Sequence, residues 1–235
     1  MSRLVLFLVT VFLSFLAIAE EEPKFWSTDV ELGAVFTSGN TEQESLKFRI
    51  DSKREKDVWV NSFHLDTFAA SEDGNDTADK LYAFYRLDYK LADDRGLFTR
   101  LAYEDDQFSG FDHQTDLTFG YNQTLLERDR LKIVGDAGLG VRYFKVTDGD
   151  SETEALVRLA ALLEWEISEN ALFKQALGFE IGEELTTTRS ETSLETRVVG
   201  DLAMKLAVAV KHNSEVPAGK DKTDTESTVT LVYRF

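Results

Sequence analysis

From Lys80 to Leu91 the chain alternates without a break: Leu81, Ala83, Tyr85, Leu87, Tyr89 and Leu91 form one set, and Lys80, Tyr82, Phe84, Arg86, Asp88 and Lys90 the other. A helix would scatter both sets around its circumference. A strand puts successive side chains on opposite faces, so this segment reads as a strand with one oily and one largely ionic face. The pattern returns along the chain in segments of about ten to thirteen residues, each closed by a polar turn, as expected of tilted membrane strands. It begins with Trp26, Thr28, Val30, Leu32, Ala34 and Phe36 set against Asp29 and Glu31. It closes with Thr225, Ser227, Val229, Leu231 and Tyr233, running flush to Phe235. Residues 155–165 are rich in good helix formers, but Ala155, Val157, Leu159, Ala161, Leu163 and Trp165 keep a period of two, which favours a strand there as well. The expectation is an all-β, closed antiparallel transmembrane barrel of about twelve strands, or ten if one hairpin is misread.

The beginning of the chain carries an export pattern. Arg3 precedes the apolar run 4–18, and Ala17 with Ala19 make a small-x-small cleavage site before Glu20. Residues 1–19 are therefore expected to be a cleaved signal peptide, and 20–235 one outer-membrane barrel domain. No later stretch approaches about twenty uninterrupted apolar residues, so any membrane crossing is made by strands. The absence of cysteine excludes both a disulfide scaffold and a thiolate metal site. The net charge of −17 excludes nucleic acid as a natural partner, because it repels phosphate backbones.

An even strand count puts both barrel termini on one side, and connections then alternate tight and long if that side is the periplasm. Tight turns are expected at 53–57, 92–95, 126–130, 167–170 and 199–201. Longer outer loops are expected at 71–77, 105–112, 147–151, 183–188 and 214–222, with a short outer turn at 38–41. Trp26, Trp59, Tyr89, Trp165, Tyr233 and Phe235 share outward parity near the periplasmic ends, and so form an aromatic girdle at headgroup level. Tyr103 and Tyr143 serve the opposite rim. Aromatics are good strand residues anywhere, and it is the shared parity that makes a girdle of them.

Three segments carry a family resemblance: the opening Val30-Glu31-Leu32-Gly33-Ala34-Val35-Phe36-Thr37-Ser38-Gly39-Asn40-Thr41, the loop Pro217-Ala218-Gly219-Lys220 followed by Asp224-Thr225, and the closing Leu231-Val232-Tyr233-Arg234-Phe235. Together they resemble the YdiY-like salt-induced outer-membrane proteins, over essentially the whole exported chain. The resemblance implies a barrel in the outer membrane. The family is a domain of unknown function, so it brings no catalytic residues and no cofactor.

The inward parity gathers charge of both signs. Arg49, Lys80, Arg86, Arg100, Arg142, Arg158 and Arg197 face Asp88, Glu104, Asp136 and Glu180 among others, so the lumen is close to neutral and its lining is expected to be a ladder of ion pairs with at most a thin aqueous path. Two functions follow from such a lining: a structural or stress-associated envelope barrel, or a narrow porin-like channel for ions or small solutes. A barrel enzyme is the distant third, since Ser62 and His64 are merely neighbours on one strand face. The surplus carboxylates, including Glu72, Asp73, Asp76, Asp105, Asp106, Asp112, Asp148, Asp150, Glu183 and Glu184, fall in loops, where weak binding of divalent cations beside lipopolysaccharide is the expected consequence. Outer-membrane lipid, lipopolysaccharide and, through the C-terminal strand, the barrel-assembly machinery are the other partners expected.

Overall fold

The computed structural model describes residues 25–37, 43–107, 109–147 and 149–235. The expected signal peptide, the turn motif at 38–41 and Asp148 lie outside the described residues. Twelve strands follow one another in chain order: β1 Trp26–Thr37, β2 Gln43–Lys56, β3 Trp59–Glu72, β4 Asn75–Ala92, β5 Arg95–Asp106, β6 Phe111–Arg128, β7 Leu131–Val146, β8 Ser151–Ser168, β9 Ala171–Ile181, β10 Thr186–Val199, β11 Leu202–Asn213 and β12 Thr223–Arg234. Each pairs antiparallel with its neighbours, and β1 pairs with β12, so the sheet closes on itself. Closure joins the first strand to the last, and satisfying edge backbone in this way is what allows strands to sit in hydrocarbon at all. Residues 155–165 lie within β8 and are extended, as their alternation required.

The connections are asymmetric. At the end that holds Trp26 and Phe235, strands are joined by the two-residue turns 57–58, 93–94, 129–130, 169–170 and 200–201, with Asp57 and Gly200 at positive φ. This is the turn end; the other is the loop end. Residues 53–56, 126–128 and 167–168 continue strands β2, β6 and β8, so those three turns are tighter than expected. The largest correction is at 71–77. There β3 and β4 run on to a two-residue turn at Asp73 and Gly74, both at positive φ (50° and 78°), because Asp-Gly suits a hairpin whose turn matches the strand twist. Only 214–222 is a long loop among the described residues.

Burial is inverted relative to a water-soluble domain. Leu81, Tyr85, Phe119, Leu139, Leu177 and Leu206 are exposed on the outer wall, whereas Arg142, Glu180 and Thr118 are among the most buried side chains. Among the described residues no second layer covers the apolar face, the arrangement of a barrel whose outer wall is apolar and whose lumen is polar. The expected girdle residues Trp26, Trp59, Tyr89, Trp165 and Phe235 are exposed at the turn end, and Tyr233 is half-buried there. Trp59 meets Tyr89 edge-on at 4.9 Å, and Tyr233 meets Phe235 at 4.8 Å. At the loop end His113 lies between Tyr103 and Tyr143, with ring centroids 6.4 and 5.5 Å away.

Candidate functional site in the barrel lumen

Inward side chains fill the cylinder in tiers, and each tier follows from strand parity. Nearest the turn end, a cavity of about 500 Å³ is bordered by Lys53, Arg86, Lys90, Lys132 and Asp136. A second, of about 360 Å³, is bordered by Asp29, Asp51, Lys174, Glu195 and Lys205, and both share Ser62, Phe84 and Leu162. In this tier Arg86 is held by Asp88 at 2.8 Å and by Asp136, while its guanidinium lies 4.2 Å from the centre of the Phe98 ring. Phe98 in turn covers the paired glycines Gly120 and Gly138; a Cβ on Gly120 would fall 2.8 Å from the Phe98 ring and 2.3 Å from the Ala137 carbonyl oxygen. Small residues on β6 and β7 are what make room for the ring and the cation above it.

The middle tier ties distant strands together. Arg49 donates to both oxygens of Glu191 at 2.9 and 2.6 Å and to Asp66 at 2.7 Å, and so joins β2 to β10 and β3. Lys205 reaches Glu31 at 3.1 Å and Glu191 at 3.0 Å. Glu104 on β5 receives Arg189 from β10 and Lys211 from β11, the latter at 2.6 Å. In the strand order β5 and β11 stand opposite one another, so this pair spans the full width of the lumen.

Beside it Glu180 sits 2.5 Å from Arg158, 3.4 Å from Arg189, 3.6 Å from Arg142 and 3.7 Å from Arg100. Four guanidiniums converge on one buried carboxylate. Neighbouring acids offset them: Asp116 accepts two hydrogen bonds from Arg142 at 2.9 and 3.0 Å, and Glu154 lies 3.8 Å from it. Arg100 also donates to the Tyr82 hydroxyl and stacks on Phe84 at 4.6 Å. Lys80 stands 3.8 Å from Asp106 and 4.0 Å from Asp224. Of the candidate lumen residues only Arg197 departs from this network; it is exposed at the turn end, and no ion pair joins it among the described residues.

The loop end is covered. Leu185, from the 182–185 connection, packs with Phe111 and Phe144 in an apolar cluster that Val146 and Val216 adjoin. Its carbonyl accepts from Arg142 at 3.1 Å, and the amides of Glu184 and Leu185 donate to Glu154 at 2.8 and 3.4 Å. Loop 214–222 lies against Gly110, whose missing Cβ would fall 2.7 Å from Pro217. Gly110 belongs to the β5–β6 connection, which the strand order sets opposite β11–β12, so the loop crosses the mouth as a strap. Sequence reasoning did not anticipate this cover; its only signal was a lone Leu185 and a lone Val216 in otherwise polar loops.

One reading of an individual residue changes. Asp106 is buried inside the lumen, 3.6 Å from Lys211, instead of standing in a solvated loop, because β5 continues through it with inward parity. His64 pairs with Asp51 at 2.6 Å and stacks on Phe84 at 4.8 Å, because register sets Asp51 opposite His64 across β2 and β3. Outside the wall, Lys145 donates to Asp112 at 2.5 Å. Among the described residues no three His, Asp or Glu side chains converge as metal ligands.

Comparison with known proteins places this geometry. The family described as "Protein of unknown function, DUF481" matches residues 30–235. A protein of Escherichia coli (strain K12), named uncharacterized protein YdiY, is 30% identical over 208 residues, which are 87% of this chain and 81% of that one. Among solved structures, the translocator domain of the autotransporter NalP from Neisseria meningitidis superposes with a TM-score of 0.50 at 12% identity, covering 100% of this chain and 98% of that one. The COG4313 outer membrane channel from Pseudomonas putida F1 gives a TM-score of 0.50 at 12% identity, covering 93% and 98%. These two likenesses concern the fold alone.

Proposed function

The chain belongs to the DUF481 family of proteins of unknown function, and we propose that it is a structural, stress-associated barrel of the bacterial outer membrane that stands closed. On this reading the turn end faces the periplasm and the strapped loop end faces outward. The observation that carries it is the bridge from Lys211 to Glu104, which joins opposite walls beneath a covered mouth. A steady pore needs a continuous water path, and ion pairs that cross the lumen interrupt one. The resemblance to salt-induced proteins is what connects the barrel to salt stress. Lipid and lipopolysaccharide are its natural surroundings, and its C-terminal strand is the part offered to the assembly machinery. Among the described residues no constellation of nucleophile, base and orienting group supports an enzyme, and the role is read as non-catalytic.

Recording in planar bilayers tests the closed reading: purified protein is expected to insert without sustained conductance. A stable ohmic current would instead favour the second reading, a narrow channel for ions or small solutes, which the stacked lumen cavities support. Fractionation, together with a gel shift between unheated and boiled protein, tests the membrane placement. A periplasmic protein without such a shift would remove it.

A further inference from the structure

The seam where the sheet closes is zipped over only part of its length. Pairing joins Asp29–Leu32 of β1 to Leu231–Arg234 of β12, yet β1 continues to Thr37 and stays paired with β2 throughout. Among the described residues, no pairing joins 33–37 to β12, while residues 223–230 of β12 pair with β11 alone. The two edges remain close, for a Cβ on Gly33 would lie 3.0 Å from the Val229 carbonyl oxygen. Unpaired backbone is costly in hydrocarbon and is tolerated where it borders a polar, water-accessible space.

Such a space lies directly behind. A cavity of about 290 Å³ in the loop-end half of the lumen is lined by Asp224 and Glu226 of β12, by Lys211 and, beyond β1, by Lys47. Lys47 and Glu226 meet at 2.6 Å, so an ion pair between β2 and β12 clasps the seam from inside where the backbone does not. On the outer face beside it Thr225 and Ser227 of β12, and in the same rows Ser190 and Thr192 of β10, carry hydroxyls on either side of Val210 and Val208. Axial entry from the loop end is obstructed by the strap.

We infer that the unzipped half of the β1–β12 seam is a lateral portal through which the zwitterionic headgroup of a membrane lipid enters the loop-end cavity. Basic and acidic side chains line that cavity in equal measure, which suits a group carrying both signs. Its phosphate takes Lys47 and its ammonium takes Glu226, exchanging the clasp for two charge-assisted contacts while the acyl tails stay in the bilayer. The hydroxyl rows ease the passage of the polar head. This inference rests on the membrane placement proposed above.

The chain has no cysteine, so an introduced pair reports cleanly. Ala34→Cys with Val229→Cys places two outward thiols on either side of the open seam, and oxidation, or a bismaleimide where no disulfide forms, locks it. The protein is reconstituted in phosphatidylcholine vesicles doped with a phosphatidylcholine carrying a photoreactive headgroup. Adducts are expected on the peptides bearing Lys47 and Glu226 before locking, to vanish in the disulfide-locked protein, and to return on reduction. Adducts confined to the outer wall, or lumen adducts that persist after locking, would overturn the portal. So would equal lumen labelling of locked and unlocked protein by a water-soluble phosphocholine photoprobe, which would mean axial entry. A heat-dependent gel shift in both states certifies the barrel, so its loss would count against the membrane reading and not against the portal alone.

Discussion

Lys211 Nζ and Glu104 Oε1 lie 2.6 Å apart although their strands stand on opposite sides of the barrel. At that level two side chains suffice to span the interior. Arg189 reaches the same carboxylate from β10, so Glu104 serves two cations and Lys211 reaches two acids, Glu104 and, at 3.6 Å, Asp106. The carboxylate is the more costly member to lose, because its removal takes the nearest acid from two buried cations at once, leaving Lys211 with Asp106 at 3.6 Å and Arg189 with Glu180 at 3.4 Å.

Glu104→Gln is expected to destabilise the folded barrel by about 3–5 kcal/mol, the range for breaking a buried pair from one side. Lys211→Met is expected to cost much less, since Glu104 keeps Arg189 and the methionine fills the same space. Urea unfolding in vesicles measures both. Equal losses for the two variants would contradict the asymmetry.

Glu180 makes the same argument with higher stakes. Arg100, Arg142, Arg158 and Arg189 all face it, so Glu180→Gln leaves four guanidiniums to repel one another in a confined space. It is expected to be the most destabilising single lumen substitution, at about 5 kcal/mol, the upper end of the range for breaking a buried pair. Its cost should fall when Arg158→Met is combined with it, and a double-mutant cycle reads that coupling directly. Strict additivity would mean that the cluster does not act as a unit.

How far the sequence spoke depended on the range of the interaction. Alternation is local, so the twelve strands, the outward set and the inward charges of β4, β5 and β7 were legible from neighbours two apart. Register was not. Parity puts both Asp51 and Asp66 inside with His64, but only the pairing of β2 with β3 sets Asp51 opposite it. The bridge from Lys211 to Glu104 joins residues with no sequence relation beyond inward parity, and closure alone brings them face to face. The strap was the least legible, because Leu185 and Val216 are single apolar residues in polar loops and no period marks them.

Leu139 lies exposed near the middle of β7, between Leu131 at the turn end and Tyr143 at the loop end. If lipid covers that face, Leu139→Arg puts a charge at mid-bilayer and is expected to cost about 2–4 kcal/mol of barrel stability in vesicles. The same change at Val199, exposed beside the turn end, should cost no more than about 1 kcal/mol. Urea titration of the refolded variants supplies the comparison. A penalty independent of depth would argue that this face does not meet hydrocarbon.

The cover of the loop end hangs on Leu185 and on Gly182. Leu185 fills the cluster with Phe111 and Phe144, and Leu185→Ala is expected to cost about 2–5 kcal/mol locally through the cavity it leaves. A Cβ on Gly182 would fall 2.1 Å from the Glu154 carboxylate, so Gly182→Ala must push Glu154 away from the Glu184 and Leu185 amides it now accepts from. Both changes act on the cover and leave the wall paired. Backbone amides at 182–187 and 214–222 should therefore exchange faster in each variant while those of β2 and β3 are unchanged, since Thr186 and Ser214 hold the two connections together at 2.9 Å. Exchange that rises throughout the barrel would show that the strap is part of one cooperative unit with the wall, and no separate opening of the mouth could then be attributed to it.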